Sequence, residues 1–362
     1  MKLIYQMFFV AKPPELSDHQ FYQQELRLAE LAEPLGFDAI WVAEHHFDGD
    51  YCQCPDNFVV LSYLAAKTEK IGLGTAGAIL PWNSPLRVAE KAIMLDVMSN
   101  GRFQFGVGRG LSKSEYDFFG IDMNESRERF EESMRMIIGA FKTGEISGDG
   151  PFYPQPPAPI RPGPIRDLSK NMVCIAMSSE SRASAAELGL AITSFAQYPI
   201  ERHAQEFAEY RTRYKEVHGK DAPNVIMSDN VFCTDDPTEH ETIFREAMHR
   251  HYAVTVKHYG LDKSGHFDKI KGYGQYAELA DAVVAAGFEA AADGYWQAQL
   301  AGTPDQIVDI IQQRYEVFGD YDQNCGFSVG GLSEEQVDKS VRLFSKEVIP
   351  RLKKLGIPFS GS

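Results

Sequence analysis

The sequence predicts an α/β fold, a (β/α)8 barrel of TIM type with a long insertion near its C-terminal units. Three observations predict it. Apolar, strand-like runs alternate with helical patterns along the whole chain. Eight such units can be counted, which suits closure of a parallel sheet into a barrel. No linker-like stretch interrupts them, so residues 1–362 read as one domain. An open, doubly wound sheet is the competing architecture.

Taken in order, Leu3 to Val10 is an apolar run that Pro13-Pro14 ends. Ser17 or Asp18 can cap a helix through Pro34, with Leu26, Ala29, Leu31 and Ala32 near helical spacing. Gly36 closes that helix, and Asp38 to Ala43 is a second buried strand. A loop leads to a helix from about Pro55 to Thr68 and a strand from Ile71 to Leu80. Ser84 to Ser99 is helical, and a Ser-Asn-Gly turn delivers the short strand Phe103 to Val107. After Gly110 come a short polar turn and a helix from about Ser126 to Thr143. Ile146 to Arg166 is rich in proline and glycine and reads as a surface hairpin or excursion.

Met172 to Ala176 is a strand, Ser179 to Leu188 a helix and Ala191 to Phe195 a strand. A long polar helix covers Ile200 to His218, and Asn224 to Cys233 is the next strand. The last units are a helix from Thr303 to Phe318, a strand from Asn324 to Val329 and a helix from Ser333 to Leu355. Between them, Asp235 to Ala301 is too long for one connection. Its first part, to about Tyr259, can be helical, and 261–302, with several glycines and Trp296, reads as a lid over the active face.

The composition bounds the function. Hydrophobic residues are 44% and charged residues 24%, as in an ordinary globular protein, and the formal charge is −15. That excludes broad binding to nucleic acid or an anionic membrane, while leaving room for a local basic pocket. Neither a signal peptide nor a transmembrane segment is expected. Cys52, Cys54, Cys174, Cys233 and Cys325 are an odd, scattered set, which fits reduced thiols in the cytoplasm. Cys52 and Cys54 form a lone C-x-C, so no zinc site is expected there.

The chemistry-bearing residues cluster at predicted strand ends. The run from Leu95 to Leu111 places Gly106, Gly108 and Gly110 around Arg109. Glycines there let backbone approach a ligand, and the arginine is a natural fork for a phosphate. Ala176-Met-Ser-Ser-Glu-Ser-Arg182 offers hydroxyls and free amides at a helix N-terminus, a second phosphate-type signal. Glu44-His45-His46-Phe47 follows the second strand. Neighbouring residues on extended backbone point to opposite sides, so at most one imidazole should face the mouth. No H-x-x-H or H-E-x-x-H accompanies them, so no metal is expected. Gly72-Leu-Gly-Thr-Ala-Gly77 matches G-x-G-x-x-G but continues as strand rather than opening a helix, which rejects a dinucleotide site. Its small residues would let a flat ligand lie against the backbone or permit an unusual peptide geometry. There is no G-x-S-x-G elbow and no P-loop.

With these residues in place, the chain resembles the bacterial-luciferase-like flavin-dependent monooxygenases, and within them the luciferase α chain (alkanal monooxygenase) type. The resemblance rests on E-H-H-F at 44–47, G-T-A-G-A-I-L-P at 74–81, the run 95–111, Asn324-Cys-Gly-Phe and Lys346-Glu-Val-Ile-Pro350, and spans essentially the whole chain. It implies a barrel binding reduced FMN (FMNH2) supplied by a separate NAD(P)H:flavin reductase. O2 would be the cosubstrate, and a flavin hydroperoxide would transfer one oxygen atom to a small organic substrate, a carbonyl compound or an electron-poor heterocycle. It implies that His45 is catalytic, that Arg109, Ser178 and Ser181 meet the flavin phosphate, and that Gly108 and Met177 also border the cofactor. Ala76-Gly77 falls where the family has a non-prolyl cis peptide against the flavin ring. Phe8, His46, Cys54, Phe195 and Trp296 are expected in the substrate pocket, and a homodimer is expected through the helix carrying Glu90.

Three departures stand out. Gly108 replaces a reactive cysteine, Met177 an acidic residue, and the strand near Ser194-Phe195 lacks a tryptophan. They bear on light emission and on a long-chain aldehyde substrate, and leave flavin binding largely intact. The alternatives are a deazaflavin-dependent oxidoreductase on the same fold and a non-catalytic, flavin-binding partner subunit.

Overall fold

The computed structural model describes residues 1–358. Eight strands, β1 (Leu3–Met7), β2 (Ala39–Val42), β3 (Gly72–Thr75), β4 (Phe103–Gly108), β5 (Met172–Ile175), β6 (Ala191–Phe195), β7 (Val225–Cys233) and β8 (Tyr321–Gly326), form the central sheet. Every neighbouring pair is parallel, β8 pairs with β1, and β7 pairs with both β6 and β8, so the sheet closes. This is the predicted barrel rather than the open sheet.

The strands are buried on both faces, and each face has its own reason. Leu3, Tyr5 and Met7 pack outward with the helix layer, whereas Ile4, Ala39, Trp41, Val173 and Ile226 form a separate core inside the barrel. The glycines of β3 make room within that core. A Cβ on Gly74 would lie 2.4 Å from Trp41 Nε1. The flat group against Gly74 is the chain's own indole, while Ala76 and Gly77, at the end of the same run, reach the barrel mouth.

The outer helices are α1 (Asp18–Glu30), α2 (Asn57–Lys67), α3 (Pro85–Met98), α4 (Lys113–Phe119), α5 (Ser126–Thr143), α6 (Ser179–Leu188), α7 (Ile200–His218), α8 (Arg245–Tyr259), α9 (Gly274–Ala286), α10 (Phe288–Gln297), α11 (Pro304–Phe318) and α12 (Glu334–Leu343). Capping boxes start α1 at Ser17, α11 at Thr303 and α12 at Ser333, each satisfying backbone amides that have no partner inside the helix. The proline-rich excursion is a hairpin, Glu145–Gly148 against Gln155–Pro159.

Several expectations need correction. The strand expected over Ile71–Leu80 breaks at Ala76-Gly77 and resumes as Ala78–Ile79, because Gly77 turns to a positive φ of 106°. The polar turn after Gly110 contains a helix, α4, whose short length hid its periodicity. The last barrel strand lies earlier, at Tyr321–Gly326. The C-terminal helix runs as expected from Glu334 to Lys354, with a wide turn at Phe344–Val348 just before Pro350, which lacks an amide for the backbone ladder. Residues 261–302, expected as a lid, consist of a loop, α9, α10 and the short strand Leu300–Gly302, which pairs with the end of β7. No helix of the described residues is long and apolar enough to cross a membrane.

Candidate active site at the barrel mouth

The glycine-rich end of β4 is shaped by close backbone approach. Gly106 donates to Thr75 Oγ1 at 2.8 Å, and Thr75 Oγ1 donates back to the Gly106 carbonyl at 2.7 Å. A Cβ at Gly106 would sit 1.9 Å from the Thr75 carbonyl oxygen, so no larger residue fits. Beyond it, Gly110 takes φ 84° beside Trp82, and the turn throws the Arg109 side chain over the mouth.

Arg109 is covered from above. Its Nη2 donates to the Gly272 carbonyl at 3.0 Å, and its guanidinium lies 4.2 Å from the centre of the Tyr273 ring. Tyr273 in turn donates to the Gly110 carbonyl at 2.7 Å. Nη1 of Arg109 is buried and has no hydrogen-bond partner among the described residues. A buried, permanently charged donor without an acceptor fits a site for an anionic group. Gly272 also brings Arg127 and Glu180 to this spot, since a Cβ there would meet all three side chains. At the start of α6, Ser178 accepts from the Ser181 amide at 3.2 Å and donates to Ser181 Oγ at 2.9 Å. Ser178 is therefore the helix cap, buried, while Ser181 reaches the cavity wall.

One cavity at the mouth is bordered by Ala76, Gly77, Gly108, Arg109, Met177 and Ser181, and equally by Phe8, His45 and Phe195. The remaining candidates for the pocket lie outside it. His46 points away, its Nε2 3.3 Å from Glu44 Oε1 and its ring against Phe119. Cys54 is fully buried behind the wall. Trp296 packs on His240, 5.0 Å between ring centres. The Ala76–Gly77 peptide is trans; the cis bond among the described residues is Arg161–Pro162. A second, larger cavity shares Leu261, Leu279, Tyr295 and Gln299 with the first and opens between α7, α11 and the 261–302 segment.

His45 is held from both sides. Its Nδ1 is 3.2 Å from Glu115 Oε1 and its Nε2 is 3.3 Å from the Tyr259 hydroxyl, which accepts from Tyr51 at 3.0 Å. A carboxylate only accepts, so Nδ1 carries the proton and Nε2 is left as the basic atom toward Tyr259. Burial pushes the Glu115 carboxyl up, but His45 and the His46 amide, which donates to Oε1 at 2.7 Å, outweigh it and hold it below the usual range. Burial pushes the Tyr259 phenol up, so it stays protonated. It also pushes the His258 imidazole down to about 4.

Glu115, Tyr51, Tyr259, His258 and Arg127 escaped the sequence reading. Glu115 and Tyr259 lie 70 and 214 residues from His45, and neither belongs to a recognisable motif. The one available signal was the sequence H-Y-G at 258–260, which closes a helix where a lid was expected to begin.

A sequence profile described as luciferase-like monooxygenase matches residues 1–321. The alkanal monooxygenase alpha chain of Photorhabdus laumondii is 29% identical over 357 residues, covering 94% of this chain and 95% of its own. The oxygenase component of a flavin-dependent trigonelline monooxygenase from Acinetobacter baylyi is 23% identical over 339 residues, covering 91% of this chain and 90% of its own. Among solved structures, the oxygenating constituent of 3,6-diketocamphane monooxygenase from Pseudomonas putida, a type II Baeyer-Villiger enzyme in complex with FMN, superposes with a TM-score of 0.74. It covers 97% of this chain and 98% of its own at 19% identity, which speaks to the fold alone.

Proposed function

The chain belongs to the luciferase-like monooxygenase family, and on that footing we propose that it is the oxygenase component of a two-component system. It would take reduced FMN from a separate NAD(P)H:flavin reductase and place one atom of O2 on a small organic substrate. The observation that carries this reading is the meeting, in one cavity, of Arg109 with an unpartnered Nη1, the α6 N-terminal hydroxyl of Ser181, and His45.

Bound reduced FMN supplies the electrons that activate O2. The chain's residues supply the rest. Arg109 and Ser181 would hold the phosphate by charge-assisted hydrogen bonds. Ile79, Ile175 and Phe195 would give the ring an apolar wall, and the 261–302 segment would exclude water. His45 Nε2, with Tyr259 beside it, would take up or return a proton at the reacting oxygen. The same proposal extends to a homodimer through α2 and α3, where Val59, Met94 and Met98 are exposed apolar residues; light scattering at twice the chain mass is the expected result.

The test is rapid mixing of the chain, loaded anaerobically with reduced FMN, against oxygenated buffer. The expected result is a persistent flavin spectrum that is neither reduced nor oxidised, discharged by substrate. His45→Ala should keep FMN binding and lose product formation. Immediate return to oxidised FMN, or unchanged turnover in His45→Ala, would overturn the reading.

A further inference from the structure

Behind His45 the fold assembles a second, deeper constellation. Glu115 Oε1 is 3.2 Å from His45 Nδ1 and 3.8 Å from His258 Nε2, and one ligand atom from each of the three residues lies within 4.8 Å of the others. Glu115 and His258 are about as buried as side chains become, each 1% exposed. On its far side, His258 Nδ1 is 3.1 Å from Asp48 Oδ2. Because that carboxylate can only accept, Nδ1 carries the ring's proton. Nε2 is then a bare lone pair aimed at a carboxylate oxygen, and it has no hydrogen-bond partner among the described residues. Two electron-rich atoms facing each other in a buried space call for a cation between them.

We propose that His45, Glu115 and His258 bind one divalent transition-metal ion of the zinc type. The donors are two imidazole nitrogens and one carboxylate oxygen, a set that suits zinc and leaves a fourth position for water. Zinc bonds of about 2.1 Å at tetrahedral angles separate donors by about 3.4 Å, between the two spacings found here. Asp48 completes a carboxylate–histidine–metal relay, which fixes the His258 tautomer and raises its basicity. Glu115 is pinned by the His46 amide, so the site is built before any ion arrives. On binding, the His45 proton moves from Nδ1 to Nε2, where it faces the Tyr259 oxygen. His45 then has no free lone pair toward the cavity, and the ion switches it off as a base. This last consequence rests on the function proposed above; binding of the ion does not.

The experiment is a titration of the chelator-treated, flavin-free chain with Co2+, followed by visible absorption and by displacement with Zn2+. One equivalent with the intense bands of a four-coordinate ion is expected. His258→Asn keeps a donor for Asp48 but removes Nε2, and should weaken binding by roughly 100-fold or more, while Asp48→Asn should weaken it by roughly 10- to 100-fold. His249, which contacts Glu289 and Asp293 near the surface, is the control, and His249→Ala should leave the titration unchanged. Absence of the bands, equal binding by the parent chain and His258→Asn, or loss of binding in His249→Ala would overturn the proposal. Since neither flavin nor O2 is present, these outcomes are independent of the oxygenase reading. If that reading also holds, Zn2+ should suppress reductase-coupled turnover of the parent chain, and chelation should restore it.

Discussion

Arg109 stacks under Tyr273, its guanidinium 4.2 Å from the ring centre, so the glycine-rich end of β4 is clasped by the segment that roofs the barrel mouth. The residue proposed to hold the cofactor phosphate is thus the residue that holds the roof, which would couple cofactor entry to roof position through one side chain.

Tyr273→Ala should loosen that roof. A desolvated cation–π contact is worth up to about 2 kcal/mol, and the hydrogen bond to the Gly110 carbonyl goes with it. Trypsin should then cut at Lys263, Lys269 or Lys271 about ten times faster than in the parent chain, as read by limited proteolysis. Equal rates would show that the clasp does not restrain the segment.

Arg109→Lys keeps the charge and loses the planar fork. Reduced-FMN binding should weaken about tenfold or more, because an ammonium cannot make two parallel bonds to phosphate. Anaerobic titration measures it, and riboflavin, which lacks the phosphate, should bind both proteins alike.

Glu115→Gln should lower kcat by about 10- to 100-fold with little change in flavin affinity, because a neutral amide oxygen holds the His45 Nδ1 proton less firmly than a carboxylate and gives no charge to support an imidazolium. The carboxyl is held below its ordinary range, so the parent chain keeps this contact down to acidic pH and loses it as pH falls through that lowered value. The kcat profile of Glu115→Gln should lack that acidic limb.

Glu25 gives a pH dependence of stability with the opposite sign. Burial raises its carboxyl from 4.5 to about 7, against the Ser328 hydroxyl that donates to it. The folded state therefore holds its proton more tightly than the unfolded chain. The contribution is fully present below about pH 4.5 and is lost as pH rises through 7, at about 1.4 kcal/mol per unit. Glu25→Gln, always neutral, should leave the denaturation midpoint unchanged at pH 4 and raise it at pH 8.

Asp229 forms a fully buried, two-bond pair with Arg314, at 2.7 and 2.8 Å, and accepts from Gln323 at 2.8 Å. Asp229→Ala leaves a guanidinium buried without its counter-charge, and should cost about 3–5 kcal/mol in denaturant unfolding.

The sequence by itself determined the barrel, since alternating strand and helix patterns depend on local periodicity and capping, and these survive in one dimension. It also determined where chemistry would gather, because strand ends of a parallel barrel share one rim. Gly106 and Arg109 were legible as a pair for that reason. Whether His45 or His46 faces the mouth was open, and Gly74 read as a seat for a ligand when it is a seat for Trp41. Only the tertiary structure decided those points, because each depends on what the neighbouring strands and helices bring. The largest difference lies behind His45. Glu115 and His258 come from two distant segments, neither carrying a motif, and the fold brings Glu115 onto His45 and His258 between Glu115 and Asp48. Contacts between residues so far apart leave no trace in local pattern, so the partners of the catalytic candidate became visible only when the chain was folded.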